Sequence, residues 1–146
     1  MVSAIWNIFI ENSQNCYKLG ENITIDEQLF PTKVRCRFTQ YIPNKPDIFG
    51  IKFLLASDVD SKYVINALPY LGKDEYRPSL LPLSEYVVFK LIELFTGCGR
   101  TVTTVNFFTS KSLATQLLAK KTTTKFGVDM TDQTARKFTT KSKSCR

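Results

Sequence analysis

Apolar and polar residues recur along this chain with two periods. Spacing of three or four residues between apolar positions predicts helices at residues 4–17, 82–95 and 110–121. Alternating or short apolar runs bounded by turn residues predict strands, and these occupy five segments: 22–30, 33–42, 49–56, 63–70 and 101–108. This order of elements is typical of a mixed α/β domain whose first half is largely antiparallel.

Local signals place the ends of the last two helices. Pro82 lies near the start of one, because proline suits the first helical turn. Thr109 or Ser110 is suited to cap the other, and its apolar positions predict three buried leucines: Leu113, Leu117 and Leu118.

Two adjacent acids, Asp26 and Glu27, interrupt the apolar strand at residues 22–30. Successive strand side chains point to opposite faces, so only one of the two can share a face with Thr24. A buried carboxylate is costly unless a cation or a donor meets it. The pattern therefore fits either solvated acids near a strand end or a metal-binding carboxylate.

Composition narrows the possible chemistry. The chain has 146 residues, a net charge of +7 and no histidine, which excludes histidine catalysis and histidine-ligated zinc and favours polyanionic partners. Its four cysteines lack Cys-x-x-Cys spacing and fit reduced intracellular thiols at least as well as disulfides. We find no signal peptide and no apolar stretch of membrane-spanning length, so we expect an intracellular protein without a membrane partner.

Several ordered motifs resemble the catalytic domain of piggyBac-type transposases, from about Trp6 to the last residue. The motifs are Ile23-Thr24-Ile25-Asp26-Glu27-Gln28, Tyr41-Ile42-Pro43-Asn44-Lys45-Pro46, Gly50-Ile51-Lys52, Tyr70-Leu71-Gly72, Pro82-Leu83-Ser84-Glu85-Tyr86, Asn106-Phe107-Phe108-Thr109-Ser110 and Gly127-Val128-Asp129-Met130-Thr131-Asp132-Gln133. The resemblance implies an RNase H-like mixed sheet flanked by helices, a nuclear location, and DNA as substrate.

The resemblance also implies a set of acids from three segments that holds two Mg²⁺ ions, since hard oxygen ligands suit magnesium. Asp26 matches the first acid, and Asp129 and Asp132 match the third segment. Without the motif, Asp129 and Asp132 would be interpreted as a solvated turn or helix start. The second acid is missing, because Val105 stands where the family has Asp. We expect Asp26 and Val105 on neighbouring strands, with their side chains on one face.

The chain departs from the family a second time after the last predicted helix. A long family segment is replaced by Lys121-Thr122-Thr123-Thr124-Lys125, so the sequence is interpreted as an incomplete, internally deleted copy. We divide it into a partial RNase H-like domain at residues 1–121 and a remnant at 122–146 that carries vestigial Asp129 and Asp132. With few large apolar residues, the remnant is predicted to be poorly ordered and mobile, with at most a helix near residues 131–138.

Basic residues are candidates for DNA contact. Arg35, Arg37, Lys45 and Lys52 lie on or near the predicted strands, and others lie in the tail, namely Lys137, Lys141, Lys143 and Arg146. They fit a solvated charge run equally well. As phosphate contacts they would give weak binding without sequence preference.

Three functions fit these observations. The first is a catalytically inactive remnant of a DDE-type transposase, and the second is a retained module that binds DNA or protein. The third is a residual metal-dependent nuclease that uses Asp26, Asp129 and Asp132, with Glu27 or Asp58 as a further ligand. Val105 ranks the third hypothesis below the other two.

Overall fold

The computed structural model of the chain describes residues 2–34, 36–43, 48–72 and 81–126. These residues form three α-helices and six strands. In chain order the elements are α1 (Val2–Cys16), β1 (Asn22–Pro31), β2 (Thr39–Tyr41), β3 (Phe49–Asp58), β4 (Val64–Pro69), α2 (Leu83–Ile92), β5 (Thr101–Thr104), α3 (Lys111–Ala119) and β6 (Thr123–Phe126).

β1 lies at the centre of one mixed sheet. It pairs antiparallel with β3 on one edge and parallel with β5 on the other, and β5 pairs parallel with β6. β2 and β4 share the remaining edge of β3, since β2 pairs at Phe49–Ile51 and β4 at Phe53–Ser57. This arrangement confirms the predicted α/β fold with an RNase H-like mixed sheet.

Helices cover the two faces of the sheet to different extents. On the core face, Ile23 and Ile25 of β1 are fully buried, and their neighbours Ala56 and Val102 are buried with them. α2 and α3 contribute the rest of this core, chiefly Val88, Leu91, Ile92, Leu113 and Leu117. Each such side chain contributes about 1.5–3 kcal/mol when it is removed from water.

The opposite side is the open face, which carries Thr24 and Asp26 of β1 and their neighbours on β3 and β5. α1 covers part of it, packing on β4 and placing the Trp6 ring 5.4 Å from that of Phe53. Beyond α1 the side chains of β1 on this face are half-buried or exposed.

α2 and α3 are joined through a buried carboxylate. Ser110 caps α3, its Oγ accepting from the amide of Leu113 at 3.0 Å. The same hydroxyl donates to Oε1 of Glu85 at 2.6 Å, and Nε2 of Gln116 donates to Oε2 at 3.2 Å. Glu85 is only 3% exposed, so these donors replace the water that its charge loses.

Four sequence predictions on elements were wrong. The strand at residues 33–42 shortens to β2, the strand at 101–108 ends at Thr104 before a 3₁₀ turn at Asn106–Phe108, and Leu118 is 40% exposed rather than buried. The fourth wrong prediction is that poor order begins at residue 122. Thr123–Phe126 forms β6, and residues 127–146 lie outside the described residues.

We expect Ser110→Ala to lower the free energy of unfolding by about 1–3 kcal/mol. The substitution removes the helix cap and one donor to a buried carboxylate. Chemical unfolding at neutral pH measures the change, with Thr115→Ala as the control, because Thr115 is an exposed residue of the same helix. Equal loss in both variants would show that neither the cap nor the link to Glu85 stabilises the fold.

Candidate site around Asp26

Asp26 lies on the open face in the middle of β1, directly after the last residue that pairs with β5. Its side chain is exposed, and Oδ1 accepts a local bond from the Glu27 amide at 2.7 Å. The register places Leu55 beside it on β3. Among the described residues, its position therefore provides one carboxylate in water, next to an apolar neighbour.

Val105 stands one residue beyond β5. The register pairs Ile25 with Thr104, so Asp26 and Val105 are the next residues of two hydrogen-bonded parallel strands. This pairing confirms that the strand of Asp26 neighbours the strand that Val105 directly follows. Val105 is half-buried and packs against the core, and its hydrocarbon offers no lone pair to a metal. That the two side chains share one face stays a prediction.

Asn106 begins the 3₁₀ turn at Asn106–Phe108. It therefore does not continue the strand predicted at residues 101–108, which ends at Thr104.

The carboxylate of Glu27 binds a cation on the core face of the sheet, opposite to Asp26. It forms an ion pair with Lys52, whose side chain is 17% exposed while that of Glu27 is 24% exposed. The Lys52 ammonium also lies 5.2 Å from the Phe107 ring centroid. A predicted DNA contact and a candidate metal ligand thus neutralise each other.

Asp58 stabilises the turn between β3 and β4. Its Oδ2 accepts from the amide and hydroxyl of Ser61, both at 2.9 Å, and from the hydroxyl of Tyr17 at 3.2 Å. Its Oδ1 accepts from the Gly20 amide at 3.2 Å. The hydrogen bond from the Ser61 amide is the main cause that holds the pKa of Asp58 below its ordinary value.

Asp58 is too far along the sheet to join Asp26. Its register partner is Ile23, three residues before Asp26, which corresponds to about 10 Å along a strand. The alternation also places the two carboxylates on opposite faces. Its four hydrogen bonds identify Asp58 as a structural carboxylate.

The described residues do not fit a two-metal centre. Within residues 2–34, 36–43, 48–72 and 81–126, no three acidic or cysteine side chains are grouped so that they could hold a metal ion. Asp129 and Asp132, the other vestigial ligands, lie outside these ranges. Two-metal chemistry needs several carboxylates that converge on the ions, and Asp26 alone does not supply them.

Of the predicted DNA contacts, Arg37 is the one that stays exposed in the described part of the chain. Its guanidinium carbon lies 4.7 Å from the Phe38 ring centroid. Arg35, Lys45 and the four tail residues, Lys137, Lys141, Lys143 and Arg146, lie outside the described residues. None of the ion pairs formed among the described residues involves Arg37.

Sequence reasoning missed a group of aromatic side chains on the open face. We call it the aromatic strip: Trp6, Phe9, Phe30, Tyr41, Phe49 and Phe53. The available signal was the alternation of Phe49, Ile51 and Phe53 along β3, which assigns them to one face. That alternation does not tell whether the face is covered.

The chain is similar to known transposases in sequence and in structure. A DDE transposase family model described as Transposase IS4 matches residues 2–137. A solved structure, a piggyBac transposase in a cryo-EM synaptic complex with hairpin DNA, aligns with a TM-score of 0.81 and 40% sequence identity. The alignment covers 92% of this chain and 28% of that one, so the chain spans little more than a quarter of the length of its structural neighbour.

No helix in the described ranges is both long and apolar enough to cross a membrane.

We expect Asp58→Asn to destabilise the fold by about 1–3 kcal/mol at neutral pH, because an amide cannot accept all the bonds that converge on the carboxylate. The lowered pKa means that the charged form stabilises the folded state above the unfolded pKa. This contribution is lost as the pH falls below about 4. The difference between wild type and variant should therefore shrink on acidification.

Urea unfolding at several pH values measures this difference. Asp60→Asn is the control, because Asp60 is an exposed acid of the same turn. A wild-type advantage that stays constant down to pH 2 would contradict the proposed role of the Asp58 charge.

Proposed function

Because the chain belongs to the piggyBac-type DDE transposase family, we propose that it is a transposase-derived domain that keeps the catalytic fold without DNA cleavage. The observation that carries this proposal is Val105, which follows the strand paired with that of Asp26. An acid at that position would supply oxygen ligands to a metal, and valine supplies none. The loss of such a ligand removes several kcal/mol of transition-state charge stabilisation.

The family implies dependence on divalent metal, which would activate the attacking oxygen and stabilise the leaving one. Glu27 and Asp58 do not replace the missing ligand. Glu27 pairs with Lys52, and Asp58 is bound by neutral donors at a distant turn. Because both carboxylates already have these partners, the contacts favour an inactive domain over a residual nuclease.

We expect purified protein to leave supercoiled plasmid intact with either Mg²⁺ or Mn²⁺. Agarose gel analysis of nicked and linear products measures this, with Asp26→Ala as the matched control. Nicking by the wild type that Asp26→Ala abolishes would disprove inactivity.

Val105→Asp alone should also stay inactive. The family resemblance implies a long segment between α3 and the third acids, and here only residues 120–128 separate α3 from Asp129 in the sequence. Plasmid nicking restored by this single change would show that Val105 is the sole defect.

A second candidate function is DNA binding without catalysis. Residues 28–46 contain four cations, Lys33, Arg35, Arg37 and Lys45, and no acid. The structural neighbour is solved with DNA. Phosphate contacts from this segment would give salt-dependent binding without sequence preference. The nuclear location that the family resemblance implies is part of this proposal, and exclusion of a fluorescent fusion from nuclei would contradict it.

Arg37→Ala should weaken duplex DNA binding and reduce the slope of log affinity against log salt by about one. Fluorescence anisotropy over a salt series measures both values. Lys18→Ala is the control, because Lys18 is exposed and precedes β1 at the other end of the sheet. Equal effects of both substitutions would mean that net charge acts, rather than a surface around Arg37.

A further inference from the structure

The aromatic strip extends across the open face from β2 to α1. Tyr41 and Phe49 are register partners on β2 and β3, with ring centroids 5.0 Å apart. Phe30 meets Phe53 edge-on at 5.1 Å, and Phe53 continues to Trp6 at 5.4 Å. Ile51 pairs with Phe30, which joins the two groups of rings into one surface.

The rings of this strip are accessible rather than packed away. Tyr41 is 61% exposed, Phe49 51%, Phe30 47% and Phe9 58%. Several large aromatic side chains exposed side by side mark an interaction surface, whereas single exposed apolar residues need no explanation. The strip therefore has the features of a binding surface.

Charge around the strip points to the chemistry of its ligand. Residues 28–46, which run from the end of β1 through β2, contain four cations and no acid before Asp47, and their Lys33 and Arg37 are exposed. Phe30 and Tyr41 belong to this same stretch. Aromatic rings interleaved with cations are typical of surfaces that bind single-stranded nucleic acid, where bases stack on rings and cations follow the phosphates.

Duplex DNA cannot use such rings, because its base faces are already stacked within the helix. Unpaired nucleotides present free π-faces to Tyr41 and Phe49, and stacking tolerates any base. Asp26 lies on the same face but one register row beyond the strip, next to Leu55. Phosphate contacts from the basic segment do not distinguish unpaired nucleotides from duplex DNA. The exposed strip adds a preference for unpaired nucleotides.

We propose that the aromatic strip binds unpaired DNA nucleotides, with Tyr41 and Phe49 as stacking residues and Arg37 as a phosphate contact. This inference rests on the DNA binding proposed above and names the form of DNA that is bound.

The test compares a fluorescent oligothymidine with a duplex of equal length by anisotropy at fixed salt. Single strands should bind more tightly than the duplex. Tyr41→Ala and Phe49→Ala should each weaken single-strand binding about tenfold, with little effect on the duplex. Tyr41→Phe should retain the affinity, since it keeps the ring.

A second measurement uses the native protein. Trp6 is the one tryptophan of the sequence, and it lies at the end of the strip beside Phe53 and Phe9. Saturating oligothymidine should quench Trp6 fluorescence and protect it from acrylamide. Phe107→Ala is the matched control. The Phe107 ring is 53% exposed, but it lies outside the strip, beneath the ammonium of Lys52.

The outcomes separate the two proposals. Absence of binding to both DNA forms would overturn DNA binding and this inference together. Duplex binding without single-strand preference, or an unchanged affinity in Tyr41→Ala and Phe49→Ala, would overturn this inference alone. Self-association that these substitutions abolish in sedimentation velocity, with DNA affinity unchanged, would identify the strip as a protein interface and would also overturn it.

Discussion

The double pairing of β1 organises the molecule. β3 pairs antiparallel along one of its edges, and β5 pairs parallel with its first four residues along the other, so chain segments from both sides of α2 meet on this strand. A parallel neighbour requires a crossover, and α2 provides it, covering the face where Ile23 and Ile25 point. The distinction between a core face and an open face follows from this one constraint.

Four carboxylates show how differently this framework surrounds a negative charge. Glu85 and Asp58 are 3% and 2% exposed, and neutral donors surround them. Glu27 is half-buried and meets the ammonium of Lys52. Asp26 stays in water, on the face that α2 and α3 do not cover. The buried acids stabilise connections in the fold, whereas Asp26 has the accessibility that a functional carboxylate needs, without the second acid beside it.

Local chemistry accounts for most elements that the sequence predicted correctly. Ser110 caps α3 because its hydroxyl can accept from an amide of the first turn. The connection at residues 58–63 is a tight turn because Asp58 and Ser61 bond within it. Local patterns failed where tertiary contacts decide. Thr123–Phe126 has little apolar content of its own, and it becomes a strand because β5 offers a parallel edge.

The sequence by itself determined the α/β class and a helix cap at Thr109 or Ser110, because these depend on residue type and local spacing, and the family resemblance implied that Val105 replaces an acid. Only the tertiary structure decided which strand face is covered, since alternation defines two faces without telling which one a helix will bury. For that reason Glu27 and Lys52, both plausible functional residues in the sequence, form an ion pair. Phe30, Tyr41 and Phe49, whose apolar rings suggest a core, lie in solvent on the open face because neither crossover helix reaches them.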